Sequence, residues 1–200
     1  MRSSLLLVGL LLLLPCSMLL AQPNPPGRFT LTGETGGQGD FFGWSVAPAG
    51  DVNGDQVPDL IVGAPTYDGV AGFAGKAYLF YGPITGDRSA ANADATIRAQ
   101  TFGDNLGISV AAAGDVDNDG FDDLIIGARS NDGPGIQAGR AYLFRGPLSG
   151  NLTDAQAHAT FSGSEFEELG FSVASAGDLN DDGFSDLVLG AYRWSAAGGP

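Results

Sequence analysis

Three short stretches of the chain carry oxygen-bearing side chains in the same order. They are Asp51-x-Asn53-x-Asp55-x-x-x-Asp59, Asp115-x-Asp117-x-Asp119-x-x-x-Asp123 and Asp178-x-Asn180-x-Asp182-x-x-x-Asp186. In each ladder the oxygens fall at positions 1, 3, 5 and 9, and the carbonyl of position 7 (Val57, Phe121 or Phe184) can add another. Calcium is a hard cation that takes six to eight oxygen ligands, and a chain curling round one ion presents alternate residues to it. Magnesium demands a tighter octahedron and keeps more water, so it fits the ladder less well. Without a cation, carboxylates held about 4 Å apart would repel by roughly 4 kcal/mol per pair at an effective dielectric of 20. About one calcium ion per ladder is the expectation.

Two other readings compete. An EF-hand begins in the same way but needs a bidentate acid at position 12 and flanking helices. Position 12 is Val62, Ile126 or Leu189, each inside an apolar run, so that reading fails. An Asp/Asn/Gly loop can also be a plain hairpin turn with solvated acids. Three copies in one frame argue against it. Loop 1 differs from the others by carrying Gln56 where they carry Gly120 and Gly183. A positive φ at Gln56 would be strained unless Gly54 takes it over.

The elements that position these ladders repeat with them. Asp51, Asp115 and Asp178 are 64 and 63 positions apart, and Ala77-Tyr78-Leu79-Phe80-Tyr81-Gly82-Pro83 returns as Ala141-Tyr142-Leu143-Phe144-Arg145-Gly146-Pro147. Each unit reads as four short strands separated by turn residues; in the first unit these are 44–47, 59–63, 76–81 and 95–99. The short Ala-rich stretch 89–95 reads as loop. The second strand of each unit, such as Leu60-Ile61-Val62 or Leu124-Ile125-Ile126, is branched and apolar throughout, the pattern of a strand covered on both faces. Four-stranded units stacked between neighbours describe a β-propeller, which explains a regular internal period better than a sandwich does. The fold class is therefore all-β, made of four-stranded antiparallel blades.

The rest of the chain bounds the setting. Met1-Arg2-Ser3-Ser4, the apolar run Leu5 to Leu14 and the small residues ending at Ala21 form a secretory signal, with cleavage expected after Ala21. The run is shorter than the roughly 20 residues of a membrane span. Cys16 is the only cysteine. Pro15 before it is unusual for a lipid-attachment signal, and the mature chain would hold neither disulfide nor thiolate metal site. With 23 acidic against 9 basic residues the formal charge is −14, which excludes nucleic acid as a partner.

The other candidate chemistries are weak. Gly43-Trp44-Ser45 faintly resembles a hydrolase elbow, but it recurs at Ser109 and Ser172 and so marks a repeat position. His158 is the only histidine and has no matched nucleophile. Gly133-Pro134-Gly135 lacks the context of a nucleotide loop. Glu167-Glu168 are adjacent in sequence, which places no pair across a cleft. Asn151-Leu152-Thr153 is a glycosylation sequon.

Phe42-Gly43, the acidic ladder and Gly63-Ala64-Pro65 together resemble the FG-GAP repeat of integrin α-chain propellers and of many exported microbial proteins. The later units keep the frame but open with Leu106-Gly107 and Leu169-Gly170, and close with Gly127-Ala128-Arg129 and Gly190-Ala191-Tyr192. The resemblance implies a propeller, usually of seven blades, with calcium in hairpin loops at one face and partner binding through loops at its ends. The expected organisation is a signal peptide at 1–21, a linker at 22–28, a lead-in strand at 29–40, and repeats at 41–103, 104–166 and, incomplete, 167–200. About three blades cannot close a ring, so the chain is expected to be part of a longer protein. Its expected role is a non-enzymatic secreted or cell-surface scaffold whose partner is an extracellular protein or glycan. The rival is an accessory or carbohydrate-binding part of a secreted enzyme or lectin.

Overall fold

The computed structural model describes residues 28–34, 39–68 and 72–193. The predicted signal segment, Cys16 and nearly all of the 22–28 linker lie outside them. The described residues form thirteen strands and two single turns of 3-10 helix. The first blade contains β2 (Ser45–Gly50), β3 (Asp59–Ala64), β4 (Lys76–Phe80) and β6 (Ala95–Arg98), all antiparallel neighbours. The second repeats this with β7 (Leu106–Gly114), β8 (Asp123–Ala128), β9 (Arg140–Phe144) and β11 (Ala159–Ser162). The third shows the β12 (Leu169–Gly177) and β13 (Asp186–Ala191) hairpin.

One feature departs from a purely antiparallel blade. The link between the third and fourth strands of each of the first two units carries a short strand, β5 (Arg88–Ser89) or β10 (Gly150–Thr153). β10 crosses to the first blade and pairs parallel with β6, making that sheet five-stranded. β5 does the same with β1 (Leu31–Thr32). The stretch expected as loop at 89–95 thus contains the end of β5 and a 3-10 turn, Ala90–Asn92, capped by Ser89 Oγ accepting from Ala91 N–H at 3.3 Å. Its counterpart Asp154–Gln156 carries a Thr153/Gln156 capping box.

The period-2 alternation of a strand explains how each blade serves two neighbours. On β8, Leu124 and Ile126 join the core shared with Ile61, Leu79 and Ile97 of the first blade. Ile125, between them, faces a cluster with Val173, Leu187 and Leu189 of the third. Val62, Tyr78 and Phe80 build a separate core on the first blade's other face, with Leu31 and Phe42 against it. β8 is buried along its whole length, whereas β13 is only partly buried, because no described element covers its far side.

Backbone meets backbone between blades at glycines. A Cβ on Gly63 would lie 2.0 Å from the Gly107 carbonyl oxygen, and one on Gly127 would lie 2.0 Å from that of Gly170. Ser45 Oγ and Ser109 Oγ donate to those same two carbonyls, each at 2.8 Å. The opening glycine of one unit is thus received by the closing glycine of the unit before it. Ser45 and Ser109 of the elbow-like triplets work as blade-to-blade donors.

Candidate metal centre

Each acidic ladder is the hairpin between a blade's first two strands, β2–β3, β7–β8 or β12–β13. The loop is folded round its first aspartate. Asp51 accepts from Gly54, Asp55 and Gln56 N–H at 2.7, 3.0 and 2.7 Å. Asp115 accepts from Asp119 and Gly120 N–H at 3.1 and 2.9 Å, and Asp178 from Asp182 and Gly183 N–H at 3.0 and 2.8 Å. Position 5 then accepts from the N–H of position 7: Val57, Phe121 and Phe184 donate to Asp55, Asp119 and Asp182 at 2.8, 3.0 and 2.9 Å.

The aspartate at position 9 opens its strand and clamps the loop's start. Asp59, Asp123 and Asp186 accept from the position-2 N–H of Val52, Val116 and Leu179 at 3.0, 2.9 and 2.8 Å. In the first two blades the other oxygen accepts from Gly82 or Gly146 N–H, each at 2.9 Å, so the loop is also tied to the end of the third strand. Sequence reading did not anticipate this tie.

Two positions in every loop take left-handed backbone. At position 4 these are Gly54 (φ 79°), Asn118 (φ 60°) and Asp181 (φ 62°); at position 6, Gln56 (φ 66°), Gly120 (φ 92°) and Gly183 (φ 90°). Gly54 therefore does not relieve Gln56. Both positions turn left-handed because three successive N–H groups must converge on Asp51.

In loop 2, carboxylate oxygens of Asp115, Asp117 and Asp123 lie within 4.8 Å of one another. Asp119 is not part of that trio. Asp117 Oδ2 pairs with Arg145 at 2.8 Å, while its Oδ1 is buried without a hydrogen bond. In loops 1 and 3 the position-3 residue is an asparagine, and its Oδ1 accepts from the position-5 N–H at 3.0 Å (Asn53) and 2.9 Å (Asn180). Arg145 is a site residue that sequence reading missed. Its signal is a double departure from the repeat: Asp117 where the other loops have asparagine, and Arg145 where the first repeat has Tyr81.

The electrostatics separate holder from held. Desolvation pulls Asp115 upward, but the N–H groups of Gly120, Asp119, Asn118 and Asp117 outweigh it and leave its carboxyl below the usual range. Asp59 and Asp123 shift the other way. Desolvation raises both; two backbone N–H groups oppose it, and the neighbouring loop carboxylates add to it. A divalent cation would relieve that cost, and an all-oxygen donor set with one unpartnered buried oxygen suits calcium.

The remaining candidates find ordinary places. Glu168 is buried and faces Arg129 at 4.0 Å and Arg193 at 3.1 Å, while Glu167 accepts from Ser164 N–H at 2.7 Å. His158 is exposed, its N–H bonded to Leu143 O at 2.7 Å. Gly133 N–H is held by Asn131 Oδ1 at 2.9 Å, and Asn151 Oδ1 accepts from Thr96 Oγ1 at 2.8 Å. Among the described residues, no helix is long and apolar enough to cross a membrane.

The FG-GAP repeat model matches residues 42–80, 106–144 and 169–199, so its three copies begin at Phe42, Leu106 and Leu169. The chain belongs to the FG-GAP repeat family. It is 36% identical to human integrin alpha-IIb over 161 residues and 32% identical to Xenopus laevis integrin alpha-5 over 160, in each case over 76% of this chain and 15% of the relative. Chicken integrin alpha-V is 28% identical over 180 residues, 84% of this chain and 16% of the relative. The chain thus spans about 15% of the length of these integrins. The sheets described above are blades of this family's β-propeller.

Proposed function

We propose that this FG-GAP chain is an exported calcium-binding scaffold for extracellular adhesion or recognition. The observation that carries the calcium reading is loop 2, where three carboxylates converge within 4.8 Å and Asp117 keeps a buried oxygen without a protein partner. Asp51, Asn53, Asp55, Asp59 and the Val57 carbonyl would hold an ion in loop 1. Asp115, Asp117, Asp119, Asp123 and the Phe121 carbonyl would do so in loop 2. Asp178, Asn180, Asp182, Asp186 and the Phe184 carbonyl would serve loop 3. Bound calcium supplies charge neutralisation and pins the hairpins; it does no chemistry. The blades are taken as 41–103, 104–166 and 167–200, preceded by a lead-in at 29–40, a linker at 22–28 and a signal removed after Ala21.

A recognition role is supported by what the blades expose. Phe41, Trp44 and Phe102 are 58%, 59% and 70% exposed, and Phe41 and Trp44 line an open cleft with Pro65, Ile108 and Arg129. Aromatic rings and an arginine at an exposed site suit an extracellular protein or glycan.

The test is calcium titration by calorimetry on the full chain and on Asp119→Ala. Asp119 is a ladder residue whose loss leaves the Asp115 and Asp123 scaffolding in place. About three ions are expected in the parent and one fewer in the variant. Equal stoichiometry in the two proteins, or no binding at millimolar calcium, refutes the assignment.

A further inference from the structure

Of the described ion pairs, Arg145–Asp117 alone uses a ladder residue. At ladder positions 1, 3, 5 and 9, loop 2 carries four aspartates where loops 1 and 3 carry three and an asparagine. The additional carboxylate is the one that meets the arginine. Counting the guanidinium, the four ladder positions of each loop present the same net charge of −3. Its chain position strengthens the link: Arg145 ends β9 and precedes Gly146, whose N–H clamps Asp123, so the guanidinium is anchored beside loop 2 by backbone as well as by charge. In the first blade the matching residue, Tyr81, does something else, donating its hydroxyl to the Leu148 carbonyl of the next unit.

We infer that Arg145 is a built-in counter-cation that sets the calcium affinity of loop 2. It occupies Asp117 Oδ2 and leaves Oδ1 for the metal, steadies the four-carboxylate loop without metal, and weakens the entering ion by like-charge repulsion. The inference rests on the calcium reading of the loops. Paired with a carboxylate that would ligate the ion, the guanidinium's unit charge changes the affinity for a divalent ion by on the order of tenfold, even with solvent-like screening.

Calcium titration of the full chain, Arg145→Gln and Arg145→Gln/Asp117→Asn provides the test, with thermal melting in chelator alongside. In Arg145→Gln, the loop 2 site should bind about tenfold more tightly. The metal-free melting midpoint should fall by about 2–4 °C. The double variant, which restores the ladder charge of loops 1 and 3, should return affinity to near the parent's. Arg145→Tyr, which copies the first repeat, supplies the same measurement if glutamine impairs folding. Unchanged or weaker binding in Arg145→Gln, with calcium still occupying loop 2, overturns the role of Arg145 alone. Absence of calcium at loop 2 in every protein overturns the calcium reading and this inference with it.

Discussion

Replacing Gly127 by alanine tests whether the blades are held at the distance that their glycines permit. The added Cβ would sit 2.0 Å from Gly170 O and 2.4 Å from Ser109 Oγ. Neither atom is the end of a flexible side chain free to swing clear, because Ser109 Oγ is itself bonded to Gly170 O at 2.8 Å. Reaching ordinary van der Waals contact needs a shift of roughly 1.4 Å or more between the second and third blades, in an interior packed like a crystal. Overpacking of this kind costs about 1–3 kcal/mol, and loss of the serine hydrogen bond adds about 0.5–1.5. The expected destabilisation is therefore about 2–4 kcal/mol. Gly86 is the control, since a Cβ there meets nothing within 4 Å and its backbone is not left-handed. Urea unfolding followed by circular dichroism should show Gly86→Ala close to the parent. Gly127→Ala should unfold earlier, or in two steps as the third blade detaches, because a repeat protein's units contact only their neighbours. If both variants share the parent's midpoint, the glycine contact is not what sets blade spacing.

Two further predictions concern backbone strain and a buried acid. Gln56→Gly should raise stability by up to about 1 kcal/mol in chelator, because a left-handed conformation costs an ordinary residue about 1–2 kcal/mol and glycine loses only part of that gain to unfolded-state entropy; a lower midpoint in urea would contradict it. Asp104 is 1% exposed, and its pKa is pushed up to about 6, first by desolvation, against help from Asn131 and Arg140 and with the charges of Asp154 and Asp132 adding to the rise. A carboxyl raised in the fold costs nothing below about pH 3, where both states are protonated, and destabilises progressively as pH rises toward 6. Asp104→Asn should therefore match the parent near pH 3 and exceed it by roughly 2–3 kcal/mol at pH 7–8, measured as the difference between two denaturant titrations in chelator; a gap that does not grow with pH would refute it.

Much of this architecture was readable from residues. The 64-residue period, the branched second strand and the recurring ladder each tie a pattern to a physical need, and the blades fall where those patterns lie. What escaped reading was whatever joins units at a distance. β10 is Gly-Asn-Leu-Thr, with no alternation of apolar and polar residues, and its pairing with β6 is set by where the chain passes rather than by its own sequence. The Arg145–Asp117 pair lies within one unit but was hidden too, its partners being 28 positions apart on different elements. Gln56 shows a different limit. The glycine pattern marked position 6 as left-handed in loops 2 and 3, yet the convergence of N–H groups on Asp51 imposes that conformation on a residue that does not favour it.

The loops are also not independent of one another. Asp51 N–H donates to Asp122 Oδ2 at 2.7 Å, and Asp122 N–H donates back to the Asp51 carbonyl at 3.0 Å, so position 1 of loop 1 is locked to position 8 of loop 2. The Phe121 ring closes over Gly54, where a Cβ would meet it at 2.5 Å, and Asp122 closes over Gly50 in the same way. Ser185, at position 8 of loop 3, stands against Gly114 at the start of loop 2, which carries the pattern to the next blade. The first two hairpins thus receive the side chains of their successors on their glycines. Asp51 both organises its own loop and anchors the neighbouring one, so disorder at one ladder must loosen the blade contact beside it. An ion that stiffens one loop would accordingly stabilise more than its own hairpin, and its effect would reach the strands through these shared residues.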